Sequence, residues 1–233
     1  RSTQSRSSAA SDVYKRQYGK LFYDQSVNWK FYTEPEENLY GKKMYWPRGK
    51  VLGGSSSINA MVFARGSRND FDEWGANASG WSWQDIEPFF RKMETWKGKS
   101  DQSRGQSGPV RVTDVSTQSH PLTDCFLEAT EQIGISKNPD YNTGNIEGSF
   151  VYQTNTHKGL RSSASNAYLS PIKRRKNLVI TTRALVKKIL FEGARAIGVE
   201  YSHKGSLKVV HATKEIILSA GALGSPQLLQ ISG

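Results

Sequence analysis

The feature that most constrains this chain is a glycine- and serine-rich stretch at residues 46–61, which reads WPRGKVLGGSSSINAM. Gly53 and Gly54 can adopt positive φ and, having no Cβ, allow another group to approach the backbone closely. The serines that follow are good N-caps, so the pattern predicts a helix from near Ser55 to about Phe63. Unpaired N–H groups at such a helix start suit an anion or an electron-rich ring. Spacing alone leaves two interpretations open, a ligand cradle or an ordinary turn before a helix.

Two motifs, far apart in the chain, carry a resemblance to a known family. The first is RGKVLGGSSSIN at 48–59, followed by RG at 65–66 and DFDEW at 70–74. The second is SAGALGSPQLLQISG at 219–233. In this order they resemble the two signatures of the glucose–methanol–choline (GMC) flavoprotein oxidoreductases. Shorter matches resemble the branch that contains the choline dehydrogenases, namely YWPRG at 45–49, HPL at 120–122 and FLEA at 126–129.

The resemblance implies that the chain binds FAD. It places Asn59 near the isoalloxazine ring, the backbone of Val186 at the adenine, and the Ala220–Gly221 region along the dinucleotide. Some relatives attach FAD through a histidine at the position of Ile58, so the resemblance implies non-covalent binding here. The cofactor-binding residues that it implies are Arg48, Gly49, Leu52, Gly53, Gly54, Ser55, Ser56, Asn59, Ala60, Met61, Val186, Ala220 and Gly221.

The activity implied by the resemblance is hydride transfer from a primary, choline-like alcohol to flavin, with a histidine base taking the hydroxyl proton. The expected catalytic histidine pair would lie beyond residue 233, and no Gly-x-Gly-x-x-Gly βαβ unit precedes the first motif. We therefore expect the 233 residues to be an inner portion of an enzyme that alone neither retains FAD nor turns over. The alternatives are a GMC oxidase, a dehydrogenase for another alcohol, or a non-catalytic basic binding domain. The electron acceptor is left open.

The net charge and the composition limit the kinds of partner and site that the chain can have. The net charge of +11 invites a nucleic-acid hypothesis, but the basic residues are dispersed except for the cluster at 173–176. We interpret that cluster as a solvated turn and predict no nucleic-acid partner. The single cysteine, Cys125, precludes an internal disulfide and is predicted to lie in a helix core. No histidine, cysteine or carboxylate pattern has metal-ligand spacing, and no apolar run is long enough to span a membrane.

The strand and helix patterns predict a mixed α/β fold with a β-meander. The resemblance implies that the rest comprises an incomplete Rossmann-like FAD-binding sheet and a helical, loop-rich cap portion. The domain boundaries are an FAD-binding segment at 18–64, a cap or substrate-side insertion at 65–171, and a second FAD-binding segment at 172–233. Residues 1–17 are Ser/Arg-rich, resemble translated adapter sequence, and are predicted to be a non-native or disordered leader. Localisation is left unassigned; the resemblance alone would suggest mitochondria or bacterial cytoplasm and inner membrane.

Individual elements follow from periodicity and caps. Ser82 and Asp85 have capping-box spacing at the start of a helix that continues to Met93. Another helix is predicted from Pro121 to Gln132, with Leu122, Phe126, Ala129 and Ile133 as its apolar face. The predicted strands of the last third are 178–181, 184–191, 196–201, 207–211 and 215–218, before a helix capped near Ser225.

Overall fold

The computed structural model describes residues 18–99 and 102–233, so the predicted leader at 1–17 lies outside the described residues. The chain divides into two compact units, the first ending at Ile172 and the second beginning at Lys173. The mixed α/β class predicted from the sequence is confirmed. The finer division of the first unit into an FAD-binding segment and a cap stays a prediction.

The first unit contains short helices and three separate two-stranded sheets among its described residues. Its helices are α1 (Tyr18–Leu21), α2 (Arg68–Asn77), α3 (Trp83–Met93) and α4 (Leu122–Gln132). Its strands are β1 (Phe31–Tyr32), β2 (Tyr45–Trp46), β3 (Glu94–Trp96), β4 (Val110–Val112), β5 (Thr156–His157) and β6 (Leu160–Arg161). The pairs β1–β2 and β5–β6 are antiparallel, whereas β3 and β4 are parallel.

Local sequence signals account well for α3. The Ser82 side chain accepts from the backbone N–H of Asp85, and the Asp85 carboxylate accepts from the backbone N–H of Ser82, so the capping box is confirmed. The helix ends at Met93, where the chain turns directly into β3. Pro88 is the sixth of the eleven residues of the helix, so α3 continues through a proline that cannot donate to the carbonyl of Gln84.

Two hydrophobic clusters form the core of the first unit. One contains Phe63, Trp96, Val110, Val112 and Ala167, which brings β3 and β4 together with the segment after β6. The other is smaller and contains Leu21, Val27 and Ile58. Ile58 comes from the end of the glycine- and serine-rich stretch, so burial of this side chain anchors that stretch to the N-terminal part of the unit.

The apolar face of α4 is not buried. Leu122, Phe126 and Ile133 are 68%, 65% and 75% exposed, and Cys125 is exposed as well. The helix itself is correctly predicted, and Gly134 follows it with φ +87. The prediction that Cys125 is a core residue was wrong, because periodicity shows that a helix has an apolar side, whereas covering that helix requires a neighbouring element.

The second unit is an antiparallel meander followed by a helix. Strands β7 (Ala184–Glu192), β8 (Arg195–His203) and β9 (Ser206–His211) pair in that order, as predicted, and α5 spans Gly221–Gln230. The backbone N–H of Ile189 on β7 donates to Ser232 Oγ at 2.8 Å, which ties the end of α5 to the sheet.

Two predicted strands and one helix start of this unit were wrong. Residues 178–181 and 215–218 do not form strands, and α5 begins at Gly221, four residues before the predicted cap at Ser225. Val179 and Ile217 are 86% and 78% exposed. A strand needs a hydrogen-bonded neighbour, and in the described part of the chain no strand pairs with residues 178–181 or 215–218. Within the sheets of that part, the one parallel pair is β3 with β4.

Candidate functional site

The glycine- and serine-rich stretch forms a turn, not the start of a long helix. We call residues 48–61 the glycine turn. Only Gly54–Ser57 is helical, as one turn of 3₁₀-helix, and Met61 has φ +66 before Val62 forms a β-bridge with Thr154. The predicted helix up to Phe63 is therefore wrong. The backbone turns toward residue 154 to bury Phe63, and the helix-dipole argument does not apply to so short an element.

The three glycines of the glycine turn differ in what a side chain at each position would meet. A Cβ on Gly49 would lie 2.3 Å from the carbonyl carbon and oxygen of Gly54, so close packing of the turn on itself requires this glycine. Gly53 has φ +89, and its Cβ would lie 2.4 Å from Ser57 Oγ. Gly54 has φ +54, but its Cβ would meet nothing within 4 Å. Only Gly54 thus presents bare backbone to open space.

The start of the glycine turn is held by one buried amide. Asn28 is 1% exposed, and its Oδ1 accepts from the backbone N–H of Arg48 at 3.0 Å and of Lys30 at 2.9 Å. Its Nδ2 donates to the carbonyl of Phe22 at 2.8 Å and to the hydroxyl of Tyr45 at 3.1 Å. All the hydrogen-bonding capacity of this amide is directed to local backbone and one hydroxyl, so its role here is structural.

The basic side chains at the start of the turn lie over indole rings. The guanidinium of Arg48 lies 5.6 Å from the centroid of Trp46, and the ammonium of Lys50 lies 5.2 Å from that of Trp29. Cation–π contacts of this kind stabilise exposed cations by about 0.5–1 kcal/mol each. The positive charge that the sequence places on the approach to the turn is therefore held in position by two tryptophans.

A second segment, Arg161–Ala164, packs behind the glycine turn and was missed as a site by the sequence analysis. Arg161 Nη1 donates to the carbonyl of Ser56 at 3.1 Å and to Asn59 Oδ1 at 2.7 Å. The backbone N–H of Ala164 donates to Ser56 Oγ at 2.9 Å, and that hydroxyl donates to the carbonyl of Gly53 at 2.5 Å. The partners are more than 100 residues apart, so no local signal could have revealed this contact.

Arg161 is a buried cation without a carboxylate partner among the described residues. It is 5% exposed, and its Nε and Nη2 have no hydrogen-bond partner in that part of the chain. Burial lowers the pKa of its guanidinium from the usual value. Arg161 also lines a cavity of about 380 Å³ together with Arg111, His157 and Asn166. The surroundings of Arg161 are therefore positively charged and suit an electron-rich group.

The predicted site residues of the second unit lie on β7 and at the start of α5. Val186 is half-buried, pairs with Tyr201, and precedes an irregularity in the β7–β8 register. Ala220 caps α5, and Gly221 has φ +88 with open space where a Cβ would be. Of the first-unit residues, Leu52, Ser55 and Ala60 are exposed. That the two units share one cofactor stays a prediction, as do all the cofactor roles.

A buried ion network elsewhere in the first unit also escaped the sequence analysis. We call Arg65, Glu94, Arg104 and Asp140 the Glu94 network. Glu94 Oε1 accepts from Arg65 Nη2 at 2.5 Å and from Arg104 Nε at 2.8 Å, with all three side chains fully buried. Arg104 Nη1 donates to both oxygens of Asp140, at 2.8 and 2.6 Å. Two cations and two carboxylates thus balance in charge.

Burial and pairing shift the pKa of the two arginines of this network in opposite directions. Burial lowers the pKa of Arg65, and the neighbouring Glu94 only partly offsets it. For Arg104, burial also lowers the pKa, but hydrogen bonds and charge from Glu94 and Asp140 outweigh it and raise the pKa overall. The guanidinium of Arg104 lies 4.1 Å from the centroid of Trp96. The network joins α3–β3 to the loops before β4 and β5 and is structural.

Two further searches bear on the kind of site. Across residues 18–99 and 102–233, no group of three or more histidine, cysteine or carboxylate side chains is arranged to hold a metal ion. In the same residues, no helix has the length and apolar character needed to cross a membrane.

Comparison with known proteins identifies the family. Residues 13–233 match the family described as GMC oxidoreductase. Over 211 residues the chain is 44% identical to mitochondrial choline dehydrogenase of Homo sapiens, covering 90% of this chain and 35% of that protein. Among solved structures, pyridoxine 4-oxidase from Mesorbium loti has a TM-score of 0.89 at 30% identity, covering 94% of this chain and 43% of that one.

A second solved structure, an FAD-dependent oxidoreductase from Chaetomium thermophilum, has a TM-score of 0.82 at 35% identity. That match covers 89% of this chain and 38% of the other. The chain therefore spans between 35% and 43% of the length of these three proteins.

Proposed function

The chain belongs to the GMC oxidoreductase family, and from that premise we propose that it supplies FAD-binding surface to an oxidoreductase that acts on a primary alcohol. The alcohol is choline-like, because the chain is 44% identical over 211 residues to a choline dehydrogenase. The cofactor residues that we propose are Val186, Ala220 and Gly221 together with ten residues of the glycine turn, namely Arg48, Gly49, Leu52, Gly53, Gly54, Ser55, Ser56, Asn59, Ala60 and Met61. A solved relative described as FAD-dependent supports the choice of cofactor.

The observation that carries this proposal is the free backbone face at Gly54. Gly49 and Gly53 are needed by the turn itself, because a Cβ on either would lie 2.3 or 2.4 Å from protein atoms. The turn does not need a glycine at position 54, because a Cβ added there would meet nothing within 4 Å. The N–H of Gly54 donates to the carbonyl of Val51 at 2.8 Å, so what Gly54 offers is an open Cα face with positive φ, next to exposed Ser55, which a ligand can approach closely. An FAD phosphate or ring edge fits that chemistry.

Non-covalent attachment follows from the environment of Ile58. Its side chain is hydrocarbon, is 2% exposed, and lies in the cluster with Leu21 and Val27. It offers no nucleophile for a covalent bond to flavin. We therefore expect FAD to leave the protein on denaturation.

FAD, when bound, supplies the hydride acceptor for oxidation of the alcohol. The residues of this chain bind and orient the cofactor. Gly54 presents an open Cα face, Asn59 presents an amide side chain, and Arg48 and Lys50 add positive charge fixed over Trp46 and Trp29.

The experiment uses the complete coding frame that contains these residues. The purified protein is mixed with choline without oxygen, and the visible flavin absorbance is followed. We expect FAD to co-purify and its absorbance to bleach on addition of choline. A protein without flavin, or flavin that no primary alcohol reduces, would overturn the proposal.

Matched glycine variants link the flavin to the glycine turn. Gly54 and Gly41 both have positive φ, +54 and +70, and a Cβ added to either would have no atom within 4 Å. Gly54→Ala is expected to weaken FAD binding by about tenfold or more, since a methyl group occupies the ligand face. Gly41→Ala carries the same backbone strain and should leave FAD binding unchanged.

An oxidase is the second candidate, favoured by the structural likeness to pyridoxine 4-oxidase. After reduction by the alcohol, reoxidation of the flavin by air with consumption of oxygen would support it. Reoxidation by an artificial dye but not by oxygen would support a dehydrogenase.

A further inference from the structure

The orientation of the Asn59 amide is fixed by the two groups that donate to its oxygen. Arg161 Nη1 donates to Asn59 Oδ1 at 2.7 Å, and the backbone N–H of Met61 donates to the same oxygen at 3.0 Å. Neither a guanidinium nor a backbone N–H can accept a hydrogen bond. Rotating the amide by half a turn would place its NH₂ group against two donors. The oxygen must therefore face Arg161 and Met61, and Nδ2 must face the opposite side.

The outward Nδ2 is available to a ligand. It has no acceptor among the described residues, and it does not count among their buried unpaired nitrogens. The backbone that carries it is unusual, because Met61, two residues later, has φ +66. A left-handed conformation is unfavourable for a residue with a long side chain and persists where surrounding contacts enforce it. Here the Met61 N–H bond to Asn59 provides such a contact.

The charge of Arg161 reinforces this arrangement. Its acceptors, Ser56 O and Asn59 Oδ1, are both neutral, and its Nε and Nη2 are buried without partners among the described residues. A buried cation that is not neutralised polarises the amide to which it donates, which makes the Nδ2 protons better donors. The same charge favours an electron-rich group on the far side of the amide.

We propose that Arg161 is a positioning residue that locks Asn59 so that Nδ2 donates to the bound flavin. The proposal rests on the proposed function for the identity of the ligand, whereas the link between Arg161 and Asn59 rests on geometry alone. Arg161 itself acts from behind the glycine turn, through Asn59 and Ser56.

The first test needs no flavin and uses the 233-residue chain. Arg161→Met keeps the length of the side chain and removes its donors. If Arg161 holds Asn59, the amide of Met61 loses its fixed acceptor, and its hydrogen exchange by NMR should accelerate by about fivefold or more. The matched control is Arg91→Met, because Arg91 lies on the surface of α3 beside Glu87. Unchanged Met61 exchange in Arg161→Met would overturn the proposal.

The second test uses the complete coding frame and measures the dissociation constant of FAD in a double-mutant cycle. Arg161→Met and Asn59→Ala should each weaken FAD binding about tenfold, and the double variant should bind no more weakly than the worse single variant. Effects that multiply to about a hundredfold would contradict action through Asn59. If the unsubstituted protein binds no FAD, the proposed function and the flavin-facing step both fail, while Met61 exchange still decides whether Arg161 holds Asn59.

Discussion

The first unit buries arginine in two places whose surroundings differ in charge. In the Glu94 network, Arg65 and Arg104 share Glu94, and Arg104 also pairs with Asp140. At the glycine turn, the guanidinium of Arg161 donates only to the neutral acceptors Ser56 O and Asn59 Oδ1 among the described residues. A paired cation is typical of structural stabilisation, whereas an unneutralised one has a cost that a bound electron-rich group can repay.

This difference indicates which buried arginines stabilise the unit and which one supports the glycine turn. Removing one member of the Glu94 network leaves buried charges without partners, so the whole unit should weaken. Removing Arg161 eliminates a charge that has no counter-ion, so stability should change little while the glycine turn loses its support. Four predictions test this contrast, with all stability measured by urea unfolding of the 233-residue chain. All six tryptophans precede residue 97, so their fluorescence reports on the first unit alone.

The largest effect is expected for Arg104→Met. This change leaves Asp140 without its cation and Glu94 with Arg65 as its one remaining cation, and it should lower the free energy of unfolding by about 3–5 kcal/mol, the range for breaking a buried ion pair from one side. Arg91→Met is the control. Arg91 Nε lies 3.7 Å from Glu87 Oε1 on the surface, and this ion pair should contribute less than about 1 kcal/mol to the free energy of unfolding. Similar losses for the two variants would remove the distinction between network and surface.

The next effect is expected for Gly49→Ala, in the region supported by Arg161. A methyl group 2.3 Å from the Gly54 carbonyl forces the backbone apart, and overpacking of this kind costs about 1–3 kcal/mol. Gly54→Ala meets only the left-handed backbone penalty, of order 1 kcal/mol. If Gly54→Ala proved the more destabilising of the two, the assignment of Gly49 to turn packing and Gly54 to the ligand face would be wrong.

A smaller effect is expected for Tyr141→Phe. The hydroxyl of Tyr141 donates to the carbonyl of Phe63 at 2.6 Å and accepts from the backbone N–H of Gln153 at 3.0 Å. Its loss should cost about 1–2 kcal/mol.

Tyr141 also predicts a pH dependence. Burial raises the pKa of its hydroxyl above the usual 10.0. A raised folded-state pKa means that this contribution is intact below pH about 10 and is lost as the pH rises through the folded-state value. Unfolding free energy should therefore fall more steeply above pH about 10 in the unsubstituted chain than in Tyr141→Phe. Parallel pH profiles would show that Tyr141 is not buried as a neutral group.

The smallest stability effect is expected for Arg161→Met, within about 1 kcal/mol of zero. The lost hydrogen bonds to Ser56 and Asn59 are offset by relief of an unneutralised buried charge. A loss as large as that of Arg104→Met would show that Arg161 is structural in the same sense as the Glu94 network, and the contrast between the two regions would disappear.

Local signals in the sequence predicted several elements correctly. The capping box of Ser82 and Asp85 lies at the start of α3, and the two short glycine-containing connections join β7, β8 and β9. These elements depend on neighbours in sequence, which a single sequence contains. The helix after Ser55 was predicted from the same kind of signal and was wrong, because Val62 pairs with Thr154, a residue 92 positions away.

The candidate site could be predicted only in part for the same reason. The glycine turn was found from residue types and from resemblance, yet the sequence could not say which glycine faces a ligand. That depends on whether the space beside each backbone position is filled, as it is at Gly49, or open, as it is at Gly54. Arg161 had no local signal at all, since its partners Ser56 and Asn59 are more than 100 residues away.

The sequence by itself thus determined the family, the mixed α/β class, the position of the glycine turn and the elements closed by local caps. Tertiary structure alone decided that the turn is not a helix, that Arg65, Glu94, Arg104 and Asp140 form one buried network, and that Arg161 fixes the amide of Asn59. The physical reason is that caps and turns are satisfied by adjacent residues, whereas a buried charge or amide is satisfied by whichever group the fold brings to it.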